Sequence, residues 1–452
     1  MCMHCALDVC IDCFYARLRE EKRTLRALNR ILDEKISLYK IDSDKINYLL
    51  PLPGDQDTSK EVGPRNSRLP LFSYLFGKDV LILESPKNPL NIFLFQHHWY
   101  KGKPVVINRV LQDLEPMMWR PTILEEKCAG RSTEGTIVDC RTGAVIENFD
   151  VSLFWAGFLD CHKRIDGSDG RKLLLKLKDW PSGDKFSELL QEHFQKFCKA
   201  LPLPQYTHPN SGQFNLATNL PSFCIEPDLG PKLYIAYEMI FEPNKGTTNL
   251  HLDVSDAVNV LVNVTTPANI NPSYLYCAIL KHLEEQDLDP ADLERARKCP
   301  SRIGALWTIF KPEDSETIRM YLHELAAEDR KSDCDDPIHD QMLYLDVPLR
   351  KRLETERGVR GYSFVQMLGD AVFIPAGAAH QVQNLLCCVK VAEDFVSPEG
   401  ISYCATIAGE FRNLTKAHTN HEDKLQLPNV ILHSLRKAAS VLNENGLQGS
   451  AS

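Results

Sequence analysis

A succession of short apolar stretches, each closed off by a turn signal, limits what this chain can fold into more than any other feature. PVVINRV at 104–110, TIVDC at 136–140, KLLLKLK at 172–178 and KLYIAYEMIF at 232–241 open the series. NLHLDVSDAVNVLVNV at 249–264, GALWTIF at 304–310, YSFVQML at 362–368, DAVFIPA at 370–376 and CCVKVAEDF at 387–395 continue it. Runs of this length and β-branched content read as strands. Helical periodicity interrupts them at 186–200, 274–297, 314–330 and 401–415. Strand and helix do not alternate regularly, so a doubly wound parallel sheet is not expected. The expectation is a mainly β fold with helical decoration, a sandwich or jelly roll with helical insertions near 268–303 and 311–348.

Ahead of that core, residues 1–13 hold Cys2, Cys5, Cys10 and Cys13, and residues 14–50 read as a helical arm. Residues 51–87, which begin PLPGDQDTSKEVGPRNSRLP, read as a linker. The folded domain is expected over 88–440, with a disordered tail at 441–452. Lys and Arg total 52 against 61 Asp and Glu, a formal charge of −9, which disfavours binding by coating DNA phosphates. No run of 18 apolar residues is present to span a membrane, and MCMHCALDVC lacks the basic start and apolar core of a signal peptide. The 15 cysteines are odd in number and mostly isolated. They point to free thiols in a reducing compartment and a metal cluster, not a disulfide framework.

The chemistry concentrates in His251-Leu252-Asp253. Residues two apart on a strand share a face, so imidazole and carboxylate converge on one ion. A second imidazole would complete a two-histidine, one-carboxylate face, which leaves open positions on Fe(II) for oxygen chemistry. His380 is the candidate, because DAVFIPAGAAHQVQN runs a strand into the turn Pro375-Ala376-Gly377 and starts the next strand at His380. His97 and His98 are adjacent and face opposite ways, and His418 and His421 lie in a polar stretch that reads as a solvated turn. A lone HxD also arises by chance in chains of this length.

An oxygenase of this type draws its electrons from a co-substrate, usually 2-oxoglutarate, whose far carboxylate needs a cation in the barrel. Lys390, in the apolar strand CCVKVAEDF, is that cation or else a lysine snorkelling from a strand edge. Thr248 adds a hydroxyl for the same carboxylate. Asn259 either contacts the co-substrate or satisfies a backbone group.

TTNLHLDVSDAVNV and GDAVFIPAGAAHQVQNLLCCVKVAEDFVSPE closely resemble the Jumonji C (JmjC) domain of the lysine demethylase 3 family, the hairless-related demethylases of histone H3 lysine 9. LKLKDWPSGDKF at 175–186, LPLPQYT at 201–207, PDLGPKLYIAY at 227–237, DPIHDQMLYLD at 336–346, LRKRL at 349–353 and HTNHEDKLQ at 418–426 are similar to it too. The resemblance implies a double-stranded β-helix (jelly roll or cupin) core, with iron ligands at His251, Asp253 and His380. Many JmjC domains carry their 2-oxoglutarate lysine where this chain has Ala268, and the role is expected to shift to Lys390. The implied activity is Fe(II)- and 2-oxoglutarate-dependent demethylation of mono- and dimethyl-lysine 9 on histone H3, with formaldehyde and succinate released, in the nucleus. A JmjC protein hydroxylase and a non-catalytic corepressor scaffold remain open alternatives.

CMHCALDVCIDCFYARLRE is similar to the latter half of that family's zinc finger. The family places further ligands upstream of it, so zinc on Cys2, Cys5, Cys10 and Cys13 is expected to be partial or absent. The implied partner is a methylated histone H3 tail. Transcription factors, corepressor complexes and a homodimer stay open, while sequence-specific DNA binding and a membrane are not expected. Asp256, Glu393 and Asp394 are candidates to hold a basic tail, or else solvated strand-end charges.

Overall fold

The structure, a computed structural model, describes residues 72–129, 136–181, 185–328, 336–415, 418 and 423–448. By its internal contacts the chain divides into two units, Met1–Arg68 and Leu69–Ser452. The first lies outside the described residues, and with it Cys2, Cys5, Cys10, Cys13 and the expected helical arm.

The second unit is built on thirteen strands: β1 Phe72–Leu75, β2 Val80–Leu83, β3 Val105–Ile107, β4 Ile137–Asp139, β5 Leu175–Trp180, β6 Lys232–Ala236, β7 Thr248–His251, β8 Asp256–Thr265, β9 Ile303–Ile309, β10 Tyr362–Met367, β11 Ala371–Ile374, β12 His380–Asn384 and β13 Cys387–Phe395. Nine make one sheet in the order β1-β2-β3-β11-β8-β13-β6-β5-β4, and four make another in the order β10-β9-β12-β7. The two sheets form the expected jelly-roll sandwich. Its interior packs Val80, Ile82, Val106, Ala257 and Val372 of the large sheet against Trp307, Ile309, Phe364 and Val382 of the small one.

The period-2 geometry of a strand decides which side chains reach that interior. On β13, Cys387, Val389, Val391 and Phe395 point outward into an aromatic core with Phe95, Trp99, Trp155 and Phe158. The alternate residues of β13, Lys390 among them, therefore face inward. Helices cover the outer face of the small sheet. Ser315–Glu328 and Val347–Arg357 pack through Ile318, Leu322 and Leu353 on Leu250 and Phe310 of the 250–310 region. Pro272–Glu284 packs through Leu275 and Ile279 on Leu306 and Val365. Pro290–Lys298 closes the open edge of β10: Val365 N–H donates to Asp292 Oδ2 at 2.7 Å, and Arg295 donates to the Val365 carbonyl at 2.5 Å. An edge strand with its polar groups occupied in this way offers no template to another chain.

Two boundaries differ from the expected ones. β1 and β2 lie inside the expected 51–87 linker yet form one end of the large sheet. VLIL is four residues long and follows the charged turn FGKDV, so it carries almost no periodic signal. The tail expected from 441 is helical as far as Gln448, since Leu427–Gln448 is one continuous helix. Among the described residues no helix is long and apolar enough to cross a membrane.

Candidate metal centre

Register brings the two histidines together. β12 pairs antiparallel with β7 so that His380 stands directly opposite His251, with ring centroids 4.2 Å apart. Asp253 follows just past the end of β7, its carboxylate 3.7 Å from His251 Nε2 and 3.5 Å from His380 Nε2. One ligand atom from each of the three lies within 4.8 Å of the others. His251 Nδ1 meets the Asn249 carbonyl at 2.9 Å, and His380 Nδ1 meets the Ala378 carbonyl at 3.0 Å. A carbonyl only accepts, so Nδ1 carries the proton on both rings and each Nε2 keeps its lone pair for the shared point. Burial, reinforced by the neighbouring His380, pushes the His251 imidazole down to about 4. It is neutral at physiological pH, as a ligand must be.

The turn before His380 is held from several sides. Gly377 has φ +79°, and a Cβ there would lie 2.9 Å from the Tyr403 ring. Ser315 Oγ donates to the Gly377 carbonyl at 2.7 Å. Fully buried Asp256 accepts from Ala376 N–H and from Ser397 N–H, both at 2.8 Å, which ties the turn to the loop after β13. Burial raises the Asp256 carboxyl to about 7.

A cavity of about 400 Å³ opens on His251 and Asp253, and Thr248, Tyr234, Lys176, Asn384, Lys390 and Asp394 share its wall. Lys390 is 5% exposed, and its ammonium donates to Asn384 Oδ1 at 2.6 Å and stands 5.9 Å from the Trp307 ring centroid. Among the described residues no carboxylate pairs with it, and burial pushes its amine down to about 8. A buried ammonium with spare donors and no counter-ion is a receptor for an anion. Thr248 also lines the cavity, from β7 of the small sheet, where it stands opposite Val382.

The remaining calls separate. Asn259 is not among the cavity-lining residues; its carbonyl and amide oxygen face the Gln366 amide at 3.0 and 3.4 Å, and Gln366 in turn accepts from Trp307 Nε1 at 2.8 Å. Asn259 thus belongs to a buried polar chain behind Trp307. Ala268 sits beyond β8 in a bridge to Asp160, away from the wall. Asp256 and Glu393 are fully buried and unable to hold a tail; the wall contains Asp394 alone of the three. Asn384 and Trp307 escaped the sequence reading. Alternation from His380 already put Asn384 on the face of His380, and this was the available signal. Trp307 reaches the site only by pairing with Val382 across β9 and β12.

Comparison with known families matches the JmjC domain, described as a hydroxylase, over residues 302–395. That segment runs from β9 to β13 and contains His380, Asn384 and Lys390. The chain is a JmjC-domain protein. Over 376 residues this JmjC chain is 43% identical to lysine-specific demethylase 3A of Gallus gallus, which covers 82% of the chain and 28% of the relative. It is 44% identical to lysine-specific demethylase 3 of Drosophila melanogaster over 365 residues, 80% of the chain and 42% of the relative. The probable JmjC domain-containing histone demethylation protein 2C of Homo sapiens is 38% identical over 374 residues, 82% of the chain and 14% of that protein. The chain therefore spans less than half the length of these curated relatives.

Proposed function

We propose that this JmjC protein is a histone lysine demethylase that uses Fe(II) and 2-oxoglutarate to remove methyl groups from mono- and dimethyl-lysine 9 of histone H3, in the nucleus. One observation carries the reading: two Nε2 lone pairs and a carboxylate converge on one point, beside a cavity that His251 and Asp253 line and whose wall also holds the buried Lys390 ammonium. This donor set fits Fe(II), for which two imidazoles and one carboxylate leave a face of coordination positions open. The relatives' names supply the class of substrate.

His251, Asp253 and His380 would hold the metal, with both rings oriented by their carbonyl contacts. When bound, Fe(II) with 2-oxoglutarate and O2 supplies the oxidising power that hydroxylates a C–H bond and yields succinate and CO2. Lys390 and Thr248 receive the far carboxylate of the co-substrate, and Asn384 keeps the ammonium aimed into the cavity. The apolar packing behind Trp307 and Val382 keeps that end dry, which strengthens the ion pair. A methyl-lysine side chain entering the cavity would bring an N-methyl carbon to that centre. Once hydroxylated, that carbon leaves as formaldehyde from the lysine nitrogen without further help from the protein.

The test is anaerobic loading with Fe(II), then O2 and a dimethylated H3 tail peptide, with and without 2-oxoglutarate, read by mass spectrometry and formaldehyde assay. Loss of a methyl group with formaldehyde is expected. Gain of an oxygen without formaldehyde would favour a protein hydroxylase, a reading that the matched domain's description also allows. No turnover of 2-oxoglutarate with any methylated peptide would leave a corepressor scaffold. Association with transcription factors or corepressors, and a homodimer, belong to the same proposal.

A further inference from the structure

Between the 3-10 turn Leu216–Asn219 and β6, the loop 221–229 holds two large apolar side chains in water. Phe223 and Ile225 are each 80% exposed, the highest among the large apolar residues described. The loop itself is well anchored. Leu220 and Leu229 at its ends pack with Leu425, Leu427 and Val430. Cys224 N–H donates to the Pro221 carbonyl at 2.9 Å, Gln426 donates to the Ile225 carbonyl, and Asp394 N–H on β13 donates to the Leu229 carbonyl at 2.7 Å. Phe223 meets the edge of the His433 ring, with centroids 6.0 Å apart, and otherwise this anchored loop presents a phenylalanine and an isoleucine to solvent. Exposed apolar side chains in such a setting mark a contact surface.

Position and charge say what that surface contacts. Asp228, on the same loop, lines the mouth of the metal cavity, as do Leu425 and Asp394 beside the loop's anchors. The loop therefore reaches the cavity through Asp228. Interleaved with the apolar pair are Glu226 and Asp228, with side chains 76% and 80% exposed. The Glu226–Lys185 ion pair is exposed and weak, so a basic ligand exchanges with it at little cost, whereas Asp228 pairs with the half-buried Lys232. The chain as a whole carries −9, which adds a long-range bias toward a basic partner.

We propose that loop 221–229 is the docking surface for the flank of the substrate tail: an extended basic peptide whose apolar side chain, a few residues from the lysine in the cavity, rests on Phe223 and Ile225 while its basic groups meet Glu226 and Asp228. This rests on the demethylase reading for the lysine but not for the surface itself. It makes the loop a selector of flanking sequence, since an apolar contact at the mouth adds affinity only for tails that carry it.

The experiment measures peptide affinity by fluorescence anisotropy, without O2, so that no turnover is needed. The probes are labelled peptides of Lys, Arg, Gly and Ser around one dimethyl-lysine, with leucine or serine in the flank. On the native chain the leucine peptide is expected to bind roughly tenfold tighter than the serine peptide. In the double variant Phe223→Ser, Ile225→Ser the two peptides should bind within about twofold of each other. Both positions are exposed, so the variant keeps its fold. Glu226→Lys should weaken both peptides about fivefold and flatten the salt dependence of binding. An unchanged leucine preference in the double variant overturns the proposal. So does a variant that loses dimerisation in light scattering while peptide affinity holds, because the patch then covers a second copy of the chain. Equal binding of the methylated and unmethylated forms of each peptide, with the leucine preference intact, supports the surface and counts against the demethylase reading instead.

Discussion

His251 and His380 owe their usefulness to two backbone carbonyls. Each carbonyl takes the Nδ1 proton and so leaves Nε2 free, and this works only because the rings face each other across one ladder position. Outer partners of this kind are worth 10–100-fold in metal affinity. Replacing a ligand itself therefore costs more: His251→Ala or Asp253→Ala should weaken Co(II) or Fe(II) binding by roughly 100-fold or more in titration calorimetry, with an unchanged circular dichroism spectrum. Lys390 makes a different prediction. Truncating one partner of a buried charge pair costs about 2–5 kcal/mol, so Lys390→Ala should raise the KM for 2-oxoglutarate roughly 30-fold or more and spare metal binding. The amine is pushed down to about 8, and only its charged form attracts the co-substrate. Affinity for 2-oxoglutarate should therefore be full below that pH and fall as pH rises through it, in the native chain and not in Lys390→Arg. A flat profile between pH 7 and pH 9 would remove Lys390 from the site.

At the scale of elements, the His380 strand is only as well placed as the turn that feeds it. Asp256, at the start of β8, holds that turn and the 397 loop together with one carboxylate. Asp256→Ala leaves two buried N–H groups without partners, a loss of about 2–5 kcal/mol, and the midpoint of urea unfolding should drop accordingly. Because burial raises this acid to about 7 while the unfolded chain ionises near its ordinary value, the folded protein loses stability as pH rises between those limits. The register of β13 is equally demanding. A shift by one residue would turn Lys390 into the aromatic core and Val389 or Val391 toward the cavity. The hydrophobic alternation of CCVKVAEDF excludes that slip, which is why the inward direction of this lysine was readable from a nine-residue string.

Across the whole molecule, the nine-stranded sheet begins earlier than the composition suggests. A chain starting at Leu69 should fold and bind metal like the full chain. One starting at Asn88 loses the buried side chains of Val80–Leu83, roughly 6–12 kcal/mol at 1.5–3 kcal/mol each. That is comparable to an entire domain's stability, so this shorter chain should be insoluble or protease-sensitive; a stable, metal-binding product would refute the placement of β1 and β2. The strand series and the inward face of β13 were legible in the amino-acid string, because each depends on alternation within a single segment; Asp253 lies just past the end of β7, so strand alternation does not account for its place beside His251. Asn384 was within reach of the same rule. Others were not: Trp307 behind Lys390, Asp256 as a clasp rather than a tail contact, Asn259 turned to Gln366, and Phe223 and Ile225 beside the cavity mouth. These depend on which strand lies next to which, across loops of tens of residues. Local spacing records the direction of a side chain from its own strand. What stands opposite is set by pairing between distant strands, and that exists only once the sandwich has closed.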